Sequence, residues 1–236
     1  MVTVCLDDAD FARPHVQAAR PQHPALVDPT HRMDALFGVV NVPSVIWVDE
    51  QGVVVRPPEP GWPTGDRQMP AAMADLPPLG TAATAPAPRT DGPGRQALLM
   101  SGQDRAGYAD ALRDWAEHGA DSRFALDPDE VVARSRPRPR TVSEAAAHFE
   151  LAQHLWRSGR RDLAVAHFTA SHRLQPDNWT YRRQAWALVG QERVGGPYGR
   201  FAQGPVRGEE VDWPFDSDFG SDLAQLDEGQ YYPRTL

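Results

Sequence analysis

Apolar and polar positions along the chain change period several times, and each change marks an element. Val2-Thr3-Val4-Cys5-Leu6 is a compact apolar run ending at Asp7-Asp8, which predicts a buried strand. Asp10 stands as an N-cap ahead of Phe11, Val16 and Ala19, predicting a short amphipathic helix with Pro14 in its first turn. Pro21 and Pro24 stop it, and Ala25-Leu26-Val27 is long enough only for a small strand. Met33, Leu36 and Phe37 share helical spacing, predicting a helix over 28–37 closed by Gly38 at C′. Then come two β-branched runs, Ser44-Val45-Ile46-Trp47-Val48 and Val53-Val54-Val55-Arg56, across the turn Asp49-Glu50-Gln51-Gly52. Two such runs across a short glycine-containing turn predict an antiparallel hairpin over 44–56.

The pattern breaks at Pro57. Through 57–95 prolines, alanines and threonines dominate, and the segment cannot bury enough apolar area to offset its ordering entropy. It reads as a linker, with 69–79 able to dock locally. Helical spacing resumes at Tyr108, Leu112 and Trp115, and three helices are predicted over 143–158, 162–174 and 177–188. From Gly190 the chain has no sustained period but carries Trp213, Phe215, Phe219, Tyr231 and Tyr232, the makings of an irregular tail laid over a core. Four units follow: 1–56, a linker 57–95, a helical module 96–189, and a tail 190–236.

Composition narrows the picture. A hydrophobic content of 41% and a charged content of 24% are those of a globular protein, and 236 residues suffice for one large or two small cores. The net charge of -8 argues against a nucleic-acid partner, since phosphate backbones select basic faces. The basic side chains are all arginine, a bias that points to genome composition. One cysteine, Cys5, excludes an intramolecular disulfide and a cysteine-rich zinc site. No run of about 18 apolar residues is present, and no basic stretch leads into an apolar core, so the expectation is a soluble, cytoplasmic protein without a membrane partner.

The elements of the first unit, taken as a set, resemble a known family. A strand ends in aspartate and leads to a helix; Pro24-Ala25-Leu26-Val27-Asp28 follows, then Met33-Asp34-Ala35-Leu36-Phe37-Gly38-Val39, Val42-Pro43, Ile46-Trp47-Val48-Asp49 and Gly52-Val53-Val54. This looks like the thiol–disulfide oxidoreductases of the ResA/TlpA type, the redoxin branch of the thioredoxin fold. The resemblance implies an α/β fold, a partial thioredoxin-like mixed sheet with a β-hairpin after a cis-proline. In that family this proline lies against the redox cysteines, and the backbone before it pairs with an extended peptide. Pro43 is the matching position, with Val42 before it, so both are the candidate substrate-binding residues.

The family's Cys-x-x-Cys pair has no counterpart in residues 1–236, and a lone thiol cannot perform two-cysteine exchange. One related group, actinobacterial ResA-like proteins with a tryptophan–alanine–x–x–selenocysteine–glycine–x–x–cysteine motif, is similar to this chain downstream of that motif. The resemblance implies an N-terminally truncated form, the selenocysteine codon having been read as stop; a degenerate domain is the other account.

In the helical module Leu151, Ala152, Gly159, Ala164, Phe168 and Pro176 fall where a tetratricopeptide repeat has its small, bulky and terminating residues, over 143–176. A single repeat suits binding a protein or peptide partner better than catalysis, with Leu112, Trp115 and the tail completing its core. Other residues carry less. Cys5 is the one catalytic candidate, yet an apolar strand suits an inert thiol. His148, His154, His167 and His172 stand six and five residues apart within each pair, which no single helical face accommodates, so no metal is expected. Asp212, Asp216, Asp218 and Asp222 lack the glycine and glutamate of a calcium loop and read as a solvated acidic tail. No cofactor motif is present. Two functions remain: a thioredoxin-like thiol–disulfide or selenol oxidoreductase, inactive in this form, and a non-catalytic interaction scaffold.

Overall fold

A computed structural model describes residues 1–61, 82, 105–135, 138–190, 203–205, 207–208 and 210–233. Among them the chain is mixed α/β, with eight α-helices and two two-stranded sheets. Most of the predicted linker 57–95, including 69–79, lies outside the described residues.

The first unit opens with β1 (Thr3–Cys5), α1 (Ala9–Ala19) and β2 (Ala25–Val27), the two strands pairing in parallel with Val4 opposite Leu26. The N-cap of α1 is Asp8, not Asp10: its carboxylate accepts the Phe11 N–H at 2.9 Å. Pro14 therefore sits beyond the first turn, where its ring removes one ladder bond, and α1 buries only Ala12. The second helix, α2, is shorter than predicted, Arg32–Phe37, because Asp28 acts from outside it by accepting the Met33 N–H at 2.7 Å. Gly38 closes it at φ 82°, a left-handed conformation that costs glycine little.

The hairpin is β3 (Ser44–Val48) with β4 (Val54–Pro60). Asp49 builds its turn, one carboxylate oxygen accepting from the Gln51 and Val53 N–H groups, with Gly52 at φ 80°. β4 runs four residues past Arg56, through Pro57, Pro58 and Pro60, and so takes the first residues of the predicted linker. A two-stranded sheet is all edge, so prolines are tolerated, and the register shifts on both sides of Trp47. Among the described residues the strands form two separate pairs, one parallel and one antiparallel, and each is hydrogen-bonded only within itself.

Six further helices complete the fold: α3 (Arg105–His118), α4 (Pro128–Arg134), α5 (Arg140–Arg157), α6 (Arg161–Leu174), α7 (Trp179–Gly190) and α8 (Phe219–Leu223). Leu112 and Trp115 do not complete the core of the helical module. With Tyr108 they carry α3 onto the hairpin, around Trp47, which is 1% exposed. The main core lies elsewhere. Ala145, Ala152 and Ala164 let α5 and α6 approach, Phe149 and Phe168 fill the gap, and α7 adds Trp179, Tyr181 and Trp186. Of the repeat-like positions Leu151 points outward, while Ala152, Ala164 and Phe168 are fully buried. The tail behaves as expected, laying Trp213, Phe215, Phe219, Leu223, Tyr231 and Tyr232 over this core.

Candidate functional site

Val39 to Pro43 joins α2 to the hairpin, and the Val42–Pro43 peptide bond is cis. The loop's polar groups are taken up one by one. The Val40 carbonyl accepts the Trp179 and Thr180 N–H groups at the start of α7, at 2.7 and 3.3 Å. Asn41 is buried and central: Oδ1 accepts the Val42 N–H at 2.9 Å and Arg183 Nη2 at 2.8 Å, while Nδ2 donates to the Tyr231 carbonyl at 2.8 Å. The Tyr232 hydroxyl donates to the Val42 carbonyl at 2.9 Å. Past Pro43, Ser44 Oγ donates to the Glu59 carbonyl at 3.2 Å.

The loop is thus pinned from two sides by residues some 140 to 190 positions away in sequence. Arg183 is buried and reaches it from α7, its Nε donating to the Trp179 carbonyl at 3.2 Å. Tyr231 is 1% exposed, and burial pushes its phenol up from the ordinary value, with Arg183 pulling the other way. Val42 and Pro43 stay half-buried, and both polar groups of Val42 are engaged within the chain. An extended peptide that pairs with Val42 must first displace Tyr232.

Cys5 ends β1, in the other sheet, and its thiol donates to Asp7 Oδ2 at 3.7 Å. That setting is acidic, opposite to what a reactive thiol needs. Between the two halves sits a buried pair, His31 Nδ1 to Asp34 Oδ2 at 2.6 Å, its ring edge-on to Phe149 and Tyr181. His31 is left-handed at φ 58°, and its Nε2 and Asp34 Oδ1 have no hydrogen-bond partner among the described residues. Enclosed in this way, the pair fastens α2 to α5 and α7. A pocket of about 150 Å³ opens nearby, lined by Asp8, Pro29, Gln153, Trp156, Arg157 and Gln184, and reaches neither Cys5 nor Pro43.

Two of the four tail aspartates are not solvated as predicted. Asp218 is 2% exposed and caps α8, accepting the Ser221 and Ala82 N–H groups at 2.8 and 2.9 Å. Asp222 pairs with Arg182, and burial lifts its carboxyl to about 6 despite that partner. Among the described residues no three or more His, Cys, Asp or Glu side chains gather into a metal-binding group, and no helix is long and apolar enough to cross a membrane.

Sequence reasoning missed Asn41, Arg183, Tyr231 and Tyr232 as parts of this site. The one legible signal was the pair of tail aromatics; Asn41 and Arg183 are polar residues whose burial only long-range packing reveals. No protein-family model matches the chain, and no curated protein and no solved structure matches it.

Proposed function

We propose that this chain is the peptide-docking part of a thioredoxin-like thiol–disulfide or selenol oxidoreductase. The observation that carries the reading is the order of elements around one loop. A parallel strand–helix–strand unit and α2 lead into Val42-Pro43, and a hairpin opens directly behind it. The chemistry of the class needs two thiols or a selenol and a thiol: a thiolate attacks a substrate disulfide, one substrate sulfur leaves as thiolate, and the second enzyme thiol resolves the mixed disulfide. Cys5, the chain's one cysteine, supplies neither that pair nor a resolving partner, so the chain alone turns over no disulfide.

The test is to read the coding region ahead of Met1 through any in-frame stop codon and to assay the protein it specifies. An in-frame Cys-x-x-Cys or selenocysteine-x-x-Cys motif, with insulin reduction that the chain alone lacks, supports the reading. Non-coding sequence there overturns it.

A second reading, a non-catalytic interaction protein built on the repeat-like α5–α6 hairpin, is favoured by a specific observation: both backbone polar groups of Val42 are already satisfied within the chain. Non-coding sequence upstream of Met1, together with unchanged partner capture in a Pro43→Ala variant, supports it.

A further inference from the structure

We infer that His148 and His167 form a two-imidazole site for an exchangeable divalent transition-metal ion, with copper(II) the preferred occupant. The two rings stand on adjacent helices, α5 and α6, with Nδ1 of one 2.7 Å from Nδ1 of the other. Their centroids are 5.0 Å apart and their planes 33° from each other. The sequence argument against a metal assumed ligands on one helical face; the fold instead draws one histidine from each of two helices.

The placement is preorganised. Each histidine directly precedes a core anchor, Phe149 at 2% exposure and Phe168 at 0%, whose rings pack at 5.7 Å. With Ala145, Ala152 and Ala164 setting a close approach, these anchors fix the helical register and hold both imidazoles at the rim of the seam, half-buried. A site carried on rigid helices and locked by neighbouring packing loses little freedom when an ion enters.

Geometry favours the ion. At a metal–nitrogen distance of about 2.0–2.1 Å, two adjacent imidazole nitrogens lie about 2.9 Å apart at a square-planar centre and about 3.3 Å apart at a tetrahedral one. The observed separation of 2.7 Å lies nearer the first of these than the second. Without metal, the contact takes one Nδ1–H and one Nδ1 lone pair. With metal, both Nδ1 lone pairs go to the ion, and the ring that donated carries its proton on Nε2 instead of Nδ1.

Imidazole ligands and a tetragonal bite select copper(II) over zinc(II), in line with the general affinity order. Two protein ligands leave the remaining positions to water, which makes the ion exchangeable rather than structural. The net charge of -8 favours cation uptake. Among the described residues no other two imidazoles are in hydrogen-bond contact, and His154 is exposed on its own, which makes it the natural control.

The experiment titrates the full chain with copper(II) by calorimetry, alongside His148→Gln, His167→Gln and His154→Gln variants whose melting curves are compared. The expected result is one copper ion per wild-type chain, bound on the order of tenfold or more tighter than by either pair variant, with His154→Gln unchanged. A second readout needs no variant: pulsed electron paramagnetic resonance of the wild-type complex should show two coordinated imidazoles. Equal affinity in the wild type and the pair variants overturns the proposal, as does a spectrum with a single imidazole.

Discussion

Arg56 and Glu59 face each other at 3% and 6% side-chain exposure, in a fork with Nε–Oε1 2.8 Å and Nη2–Oε2 3.0 Å. Other groups brace both charges. Arg56 Nη1 donates to the Phe124 carbonyl, its guanidinium lies over the Trp47 ring, and the Tyr108 hydroxyl donates to Glu59 at 3.2 Å. Burial, then the Glu59 charge, drive the Tyr108 phenol upward, so it stays a donor across the working pH range. Arg56→Met leaves the Glu59 carboxylate buried and unpaired, and urea denaturation should show a loss of about 3–5 kcal/mol. The double variant Arg56→Met/Glu59→Leu removes both charges and should recover most of it. Tyr232→Phe is milder. It strips one donor from the carbonyl of half-buried Val42 and should cost about 0.5–1.5 kcal/mol in the same measurement.

Elements were legible in the sequence where their period is local. The hairpin turn, the Gly38 stop and the three helices α5 to α7 rest on contacts within a few residues, and each is found within a few residues of its expected bounds. What α3 packs against was not legible, because Leu112 and Trp115 make a helical face without naming its partner. How the strands divide into sheets was not legible either, because strand pairing depends on partners remote in sequence. The burial of Asp222 was missed for the same reason: its partner Arg182, on α7, stands 40 residues away in sequence. That contact sets a test at the junction of α6, α7 and the tail. Burial, then Arg182, pushes His172 down to about 3, whereas burial lifts Asp222 to about 6. The His172 contribution is present above its unfolded value of about 6.5 and is lost as pH falls towards 3; that of Asp222 is present below about 4 and lost as pH rises through 6. The two trends oppose each other between pH 6 and 4. In His172→Phe, where the ring contacts with Trp186 and Phe215 can persist, only the Asp222 trend remains. Its stability relative to wild type should grow by about 1.4 kcal/mol for each pH unit below 6.5, read from denaturation midpoints.

At the scale of the whole molecule the two halves are fastened through α2, the Val42–Pro43 loop and the C-terminal strap, by Trp179 N–H to Val40, Arg183 to Asn41, Gln153 to Thr30 and Tyr232 to Val42. Those bonds all reach Thr30 or the Val40–Val42 stretch of the first unit. Elsewhere the two strand pairs keep edges with no strand alongside among the described residues, and the residues there are apolar: Val2 is 56% exposed, Leu26 53% and Val27 43%. Edge strands that remain monomeric usually carry a charge, a proline or a bulge against further pairing. β1 and β2, at three residues each, have only their shortness against it and contain none of these. Val2-Thr3-Val4-Cys5-Leu6 suits the centre of a sheet. The chain should therefore self-associate through β1 and β2, with a weight-average mass that rises with concentration in multi-angle light scattering. Leu26→Lys places a charge on that edge, on a side chain whose loss removes little from the core, and should return the protein to a monomer without lowering its melting temperature. A wild-type chain that stays monomeric at all concentrations, with a steep two-state melt, would mean that these strands are stable as they stand, and the degenerate-scaffold account would then replace the reading of a redox domain part.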